Sequence, residues 1–219
     1  MLSRIRIWLP DAPGVLGTVA AAIGSVEGNV VGLEVLERDS GVAIDEMVVE
    51  LPDDAGAVEA VCRAVRDVPG VGVEEATEVS APAADGRNAV LTAAGDLARA
   101  KDSSAFMAVL ADQLMTLFGL TWLALADADL QRLVDVRGAD VPSLEWVAAF
   151  AEGARSGADP ANDTTRSGVF VEPLARSRLV VCGGRPMAIR RRERHEIAML
   201  ALVADRLVDA LGGPDPVRR

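Results

Sequence analysis

Residues 3–16 change period, and that change constrains the fold more than any other stretch. From Ser3 to Leu9, apolar Ile5, Ile7 and Leu9 alternate with Arg4, Arg6 and Trp8. A period of two is that of a half-buried strand. Beyond them, Val15, Leu16, Val19, Ile23 and Val26 recur at helical spacing. Asp11–Gly14 must therefore turn a strand into a helix. Pro13 is pre-set for a helix start, and Gly14 lets a ligand approach the backbone closely. The first amides of a helix have no partner inside it, and the helix dipole is positive there. Such an end suits a carboxylate. Asn29 opens the next strand and offers both a donor and an acceptor.

The pattern continues in a fixed order. Val31, Leu33 and Val35 alternate with Gly32 and Glu34, and Asp39-Ser40-Gly41 is a turn signal. Ala43–Leu51 places Met47, Val49 and Leu51 on one face and Glu46, Val48 and Glu50 on the other. Pro52-Asp53-Asp54 ends that strand and is expected to cap a helix near Ala57–Asp67, with Val58, Val61, Cys62 and Val65 inward. Pro69-Gly70 breaks the helix, and Val71–Val79 is a last strand. The order βαββαβ is the ferredoxin-like split pattern. Its first strand lies beside its third, so Arg4 and Arg6 are expected to face Glu46 and Glu50.

The Asp11-x-Pro13-Gly14-Val15-Leu16 turn, the helix, Gly28-Asn29-Val30, two strands and a second helix together resemble the ACT domain over residues 3–79. The resemblance implies a regulatory module that binds an amino acid or a related small metabolite, usually where two copies meet. By motif, Asp11, Gly14 and Asn29 fall on the family's ligand positions. The candidate ligand-binding set is Asp11, Ala12, Pro13, Gly14, Val15, Leu16, Asn29 and Val30. Leu9 stands where some serine-binding members carry a polar residue, so serine is not implied.

Ser80–Asn88 reads as a linker around Ala-Pro-Ala-Ala-Asp-Gly, which divides the chain into 1–80, a linker over 81–88, and 89–219. Helical patterns follow over 88–100 and 103–118, the second capped by Ser103 or Ser104. Leu120–Ala126 and Arg132–Arg137 form a hairpin, residues 144–154 a helix, and 158–167 a polar loop. Gly168–Leu174 and Arg178–Cys182 form a second hairpin, Gly183-Gly184 a turn, and Arg190–Leu211 a long helix. This is an α+β unit with an antiparallel sheet and flanking helices. Its Gly168–Leu174 and Arg178–Cys182 hairpin with the long helix resembles the end of a GAF domain, over about 88–211. The segment between the hairpins is shortened and 158–167 lacks a strand. The resemblance therefore implies a dimerising domain more than a binding one. In the last helix Met199, Leu202 and Val203 widen the apolar face beyond the Ile197, Leu200, Ala204, Leu207 and Leu211 stripe, which suits self-association.

Charge and inventory narrow the function. Residues 1–80 carry five arginines against fifteen acids, in a chain of net charge −11. So acidic a half does not suit binding to phosphate backbones. No apolar run reaches the roughly 20 residues of a membrane span, and no signal pattern opens the chain, so a cytoplasmic protein is expected. One lysine, Lys101, among abundant Ala, Val, Arg and Asp resembles the composition of a high-GC bacterium. The single histidine, His195, lies in a charged run and has no nucleophile or second histidine to complete a dyad. Cys62 and Cys182 are far apart in apolar contexts, which suits buried free thiols and not a metal site. The Arg190–Arg194 run could dock on an acidic partner, the first domain included. The expectation is a non-catalytic regulatory protein without metal or cofactor. It is expected to sense an amino acid or related small metabolite through its ACT-like first domain and transmit it through the GAF-like second, as a homodimer that could act on a partner protein. The alternative is a dimeric scaffold, or an accessory subunit of a biosynthetic enzyme, with a vestigial ligand site.

Overall fold

A computed structural model describes residues 1–79, 86–155 and 168–210. The chain divides into two compact units, Met1–Gly86 and Arg87–Arg219. Each is α+β and carries one four-stranded antiparallel sheet. Among the described residues there are eight strands and six helices.

In the first unit β1 (Leu2–Pro10) leads into α1 (Val15–Gly24), then β2 (Asn29–Asp39), β3 (Val42–Glu50), α2 (Ala57–Arg66) and β4 (Gly72–Val79). The strand order β2-β3-β1-β4, with every pairing antiparallel, is the ferredoxin-like arrangement. The alternation of β1 decides its faces. Ile5, Ile7 and Leu9 are buried with Met47 and Val49 of β3. Val19 and Ile23 of α1 and Val61 and Val65 of α2 cover the same core. On the other face Arg4 and Arg6 both reach Glu46, at 3.2 and 2.7 Å. Glu50 does not share them, because it pairs in register with Leu2 and lies at the strand's end. It meets Asn29 Nδ2 at 3.5 Å instead.

Several local expectations are corrected. No Asp side chain caps α2; Gly56, in a left-handed conformation, is its N-cap, and Asp54 contributes only its carbonyl to the Ala57 amide. Pro13 is not the first helical residue, because Gly14 takes the N-cap and α1 starts at Val15. The Val31, Leu33 and Val35 row is exposed. β2 is an edge strand, and register shifts at Val31 and Leu36 break its simple alternation.

The second unit runs α3 (Gly86–Ala98), α4 (Ser103–Leu117), β5 (Trp122–Asp127), β6 (Leu133–Gly138), α5 (Leu144–Arg155), β7 (Val169–Leu174), β8 (Leu179–Gly184) and α6 (Arg191–Ala210). The strand order is β6-β5-β8-β7. Leu123, Leu125 and Val181 form one core with α3, α4 and α6 through Leu97, Phe106, Leu110, Leu114, Ile197 and Leu200. Trp122, Ala124 and Cys182 form another with Val147 of α5. Trp146 meets Trp122 edge-on at 6.1 Å and stacks on Phe150 at 5.3 Å. The cap of α4 is Asp102, whose carboxylate accepts from the Ala105 amide at 2.8 Å, not Ser103 or Ser104. Gly183 and Gly184 are strand residues, not a turn. A Cβ at either would press into the ring of Phe170 or Trp122, so the absent side chains let aromatic rings lie on the backbone. The expected loop over 158–167 and most of the expected linker lie outside the described residues.

Two glycines differ sharply in what alanine should do there. Gly138 has φ 82°, and a Cβ would lie 2.1 Å from the Thr121 carbonyl oxygen. Gly138→Ala should cost more than about 2 kcal/mol through strain and overpacking. Gly17, in the first turn of α1, has nothing within 4 Å of such a Cβ. Gly17→Ala should gain up to about 1 kcal/mol. Urea midpoints of the two variants should move in opposite directions.

Candidate functional site

The candidate site starts where β1 ends. Pro10 pairs with Val42, and the Asp11 amide donates to the Gly41 carbonyl at 2.9 Å. Ser40 and Gly41 both have positive φ, as a two-residue hairpin turn between β2 and β3 requires. The β1–α1 turn and this hairpin therefore lie side by side. Gly14 has φ 89° and ψ −18°, a left-handed conformation that favours glycine, and no side chain caps α1. The Val15 amide bonds the Ala12 carbonyl at 3.4 Å and the Thr18 amide that of Gly14 at 3.1 Å. The Leu16 and Gly17 amides have no partner among the described residues. Asp11, Ala12, Pro13 and Gly14 are exposed; Val15 and Leu16 are half-buried against the core.

The charged residues here form one cluster on the helix-facing side of the sheet. Arg38 clasps Asp11 with two bonds, Nε to Oδ2 at 3.0 Å and an Nη to Oδ1 at 2.6 Å. That hydrogen bond and the Asp11 charge raise the Arg38 pKa. Asp45 is the other carboxylate. It pairs in register with Ile7 and Val35, is 3% exposed, and its Oδ1 has no hydrogen-bond partner. Burial pushes its pKa up, the Arg38 charge opposes that, and the Asp11 charge adds to it. Neither Arg38 nor Asp45 is among the residues that the sequence pattern singles out. Asp45 was detectable, because it is in phase with Met47 and Val49 on the buried face of β3.

The structure does not bring the whole predicted set together within one copy. Asn29 and Val30 open β2, opposite Glu50 and Val49, while Asp11–Leu16 follow the far end of β1. The nine-residue β1 separates them by on the order of 25 Å.

The other candidate chemistry has structural partners. Glu193 accepts from the Arg190 amide at 2.8 Å, which caps α6, and pairs with buried Arg185 at 2.7 Å. Arg185 also donates to the carbonyls of Phe118, Met187 and Ala188. Arg192 pairs with Glu196, and Arg194 donates to the Val169 carbonyl. The arginine run is thus compensated from within its own unit. His195 is exposed on α6. Both cysteines are free and buried; burial pushes the Cys62 thiol up and the Cys182 thiol to about 12. Such thiols are poor nucleophiles. Among the described residues no cluster of His, Cys, Asp and Glu could hold a metal, and no helix is long and apolar enough to cross a membrane.

No protein-family model matches the sequence, and no curated protein matches it. Solved structures do. One is a formyltetrahydrofolate deformylase from Pseudomonas putida KT2440, with 18% identity and a TM-score of 0.29. That match takes in 36% of this chain and 29% of the deformylase. Another is an unknown protein from Galdieria sulphuraria, with 13% identity and a TM-score of 0.32, covering 96% of this chain and 93% of that one.

The buried Asp45 carboxylate makes a signed prediction. Its folded pKa lies above its unfolded value, so the folded state holds the proton more tightly. The resulting penalty on folding is complete above the folded pKa and disappears below the unfolded one. Asp45→Asn should therefore raise the urea midpoint at pH 7, and the gain should shrink towards zero as pH falls to about 4. A lower midpoint at pH 7 would mean that the ionised carboxylate has a partner.

Proposed function

We propose that the protein is a non-catalytic sensor in which an ACT-like first domain binds an amino acid and a GAF-like second domain passes the state to a partner protein. The observation that carries this reading is the β1–α1 turn. Left-handed Gly14 leaves the Leu16 and Gly17 amides without partners at the positive end of α1, beside the Asp11 carboxylate. Amides suit the ligand's carboxylate and Asp11 its ammonium group. A zwitterion fits this pair of charges better than a simple anion, which Asp11 would repel.

The second half of the site comes from a second copy. β2 is an edge strand, and it exposes Val31, Leu33 and Val35 along the helix side. Unpaired edges of this kind invite a partner strand. If two β2 strands run antiparallel about their centre, Asn29 of one copy comes beside Asp39 of the other, next to the Asp11 turn. Such pairing would close the gap of roughly 25 Å that a single copy leaves. A second contact is α6, where Met199 and Leu202 are exposed while Ile197, Leu200 and Ala204 face the core. Inert thiols and an exposed lone histidine fit a role without catalysis, in the cytoplasm. A dimeric scaffold with a vestigial site is the second reading, and it is favoured by the Arg38 side chain already seated on Asp11.

Titration calorimetry against the twenty amino acids tests the reading. At least one should bind. Asn29→Ala and Asp11→Ala should each weaken it about tenfold to a hundredfold, as expected for a lost hydrogen bond to a charged group. Gly14→Val should weaken it further, because valine is strained at φ 89°. A wild type that binds none of the twenty leaves the scaffold.

Sedimentation tests the assembly. Leu33→Lys should loosen self-association by placing a charge on the β2 edge. Met199→Glu with Leu202→Glu should do the same at α6. If both variants keep the wild-type mass at micromolar concentration, neither face is the interface.

A further inference from the structure

Arg38 stands between two carboxylates and hydrogen-bonds only one. On the helix-facing side of the sheet, Leu9, Ala43 and Arg38 form one cross-strand row. Ile7, Asp45 and Val35 form the next row, towards the start of β1. Asp11 continues β1 on the other side, held against Gly41. Arg38 and Asp45 are therefore diagonal neighbours on one face. In a regular ladder such pairs sit within roughly 7–8 Å, in reach of a long side chain, and here the extra residue Leu36 lies between the two rows. Only the small side chain of Ala43 stands opposite Arg38 in its own row. The guanidinium nevertheless sits on Asp11, with its side chain 66% exposed, while Asp45 keeps a buried Oδ1 without a partner.

We propose that Arg38 is a transferable counter-charge: a cationic group arriving at Asp11 displaces the guanidinium, which crosses to Asp45. The displaced arginine then satisfies a carboxylate that lacked a partner, so the incoming group does not have to leave Arg38 unpaired. The selectivity that follows is for an ammonium or guanidinium compound. A simple carboxylate has nothing with which to replace Arg38 on Asp11. Arg38 and Asp45 are thus specificity-determining residues of the turn, and neither need touch the ligand. That the cation belongs to an amino acid rests on the function proposed above. The exchange itself rests on the cross-strand rows and on Asp45.

The exchange can be tested without any ligand, in the full chain. Asp11→Asn mimics an Asp11 already taken, and Asp11→Ser serves the same purpose if the first variant folds poorly. The carboxyl carbon of Asp45 is titrated by NMR in wild type, Arg38→Ala, Asp11→Asn and the double variant. If Arg38 moves, Arg38→Ala should raise the Asp45 midpoint by about one unit or more in the Asp11→Asn background, as for loss of an opposite charge at contact. In the wild-type background the same change should shift it much less. Equal shifts in both backgrounds mean that Arg38 acts from a fixed place, and they overturn the proposal. The twenty amino acids are then added to wild type one at a time. An amino acid that binds should lower the Asp45 midpoint as Asp11→Asn does, and one that binds and leaves Asp45 unmoved also overturns the exchange. Binding by none of them rejects the amino-acid sensor, while the ligand-free titrations still decide whether Arg38 moves.

Discussion

The central strand β1 is the constraint from which the first unit follows. It is hydrogen-bonded on both sides, to β3 and to β4. Its odd-numbered apolar residues are buried and its even-numbered arginines face the other way. A slip of one residue would drive Arg4 and Arg6 into the core and expose Ile5 and Ile7, so the register is strongly held. The pairing with β3 then sets which residues share a row. Ile7 brings Asp45 to the buried face, and Leu9 brings Ala43 and, across it, Arg38. The charged cluster at the end of the sheet is a consequence of where the apolar residues of β1 must go.

The second unit handles its buried charges differently. Asp205 of α6 is buried and accepts from the Arg176 and Ser177 amides and the Ser177 hydroxyl. It ties the middle of a helix to the turn between β7 and β8. Glu193 shares one oxygen between the Arg190 amide and Arg185. In both cases a carboxylate taken out of water gains several donors, which is the condition under which such burial is tolerated. Asp45 has no comparable set of donors. The contrast with Asp205 and Glu193 is what makes Asp45 informative.

The sequence made the element order and the sheet topology of the first unit legible, because the two apolar periods are clean from Ile5 to Val26 and again in β3 and α2. It made the hairpins of the second unit legible for the same reason. Local details escaped where backbone geometry, not side-chain pattern, decides. The register shift at Leu36 has no sequence signature, and it puts Arg38 on the face of Val35 and Asp45. Gly183 and Gly184 read as a turn because glycine often is one; here they lie under aromatic rings, a tertiary reason. Of the candidate site, the turn Asp11–Gly14 was legible from its motif. Its separation from Asn29 follows from the same topology, in which β1 and β2 both run antiparallel to β3 and start at one end of the sheet.

The position of Arg38 follows from how water treats the two carboxylates. Asp11 is at the surface, where an ion pair gains little because solvent screens it. Asp45 is buried, where an ionised carboxylate without donors is unfavourable and its pKa rises in response. At neutral pH the pair that forms is therefore not the one with the greater unmet need. Reaching Asp45 requires the guanidinium to give up hydration, and that cost opposes the attraction of the buried charge. The observed pairing with Asp11 and the proposed one with Asp45 are opposed by terms of the same kind, so under the proposal a modest change at Asp11 decides between them. Under the proposed exchange a ligand would act on this turn through differential affinity for the two positions of one side chain, which is the only way a ligand can shift an equilibrium.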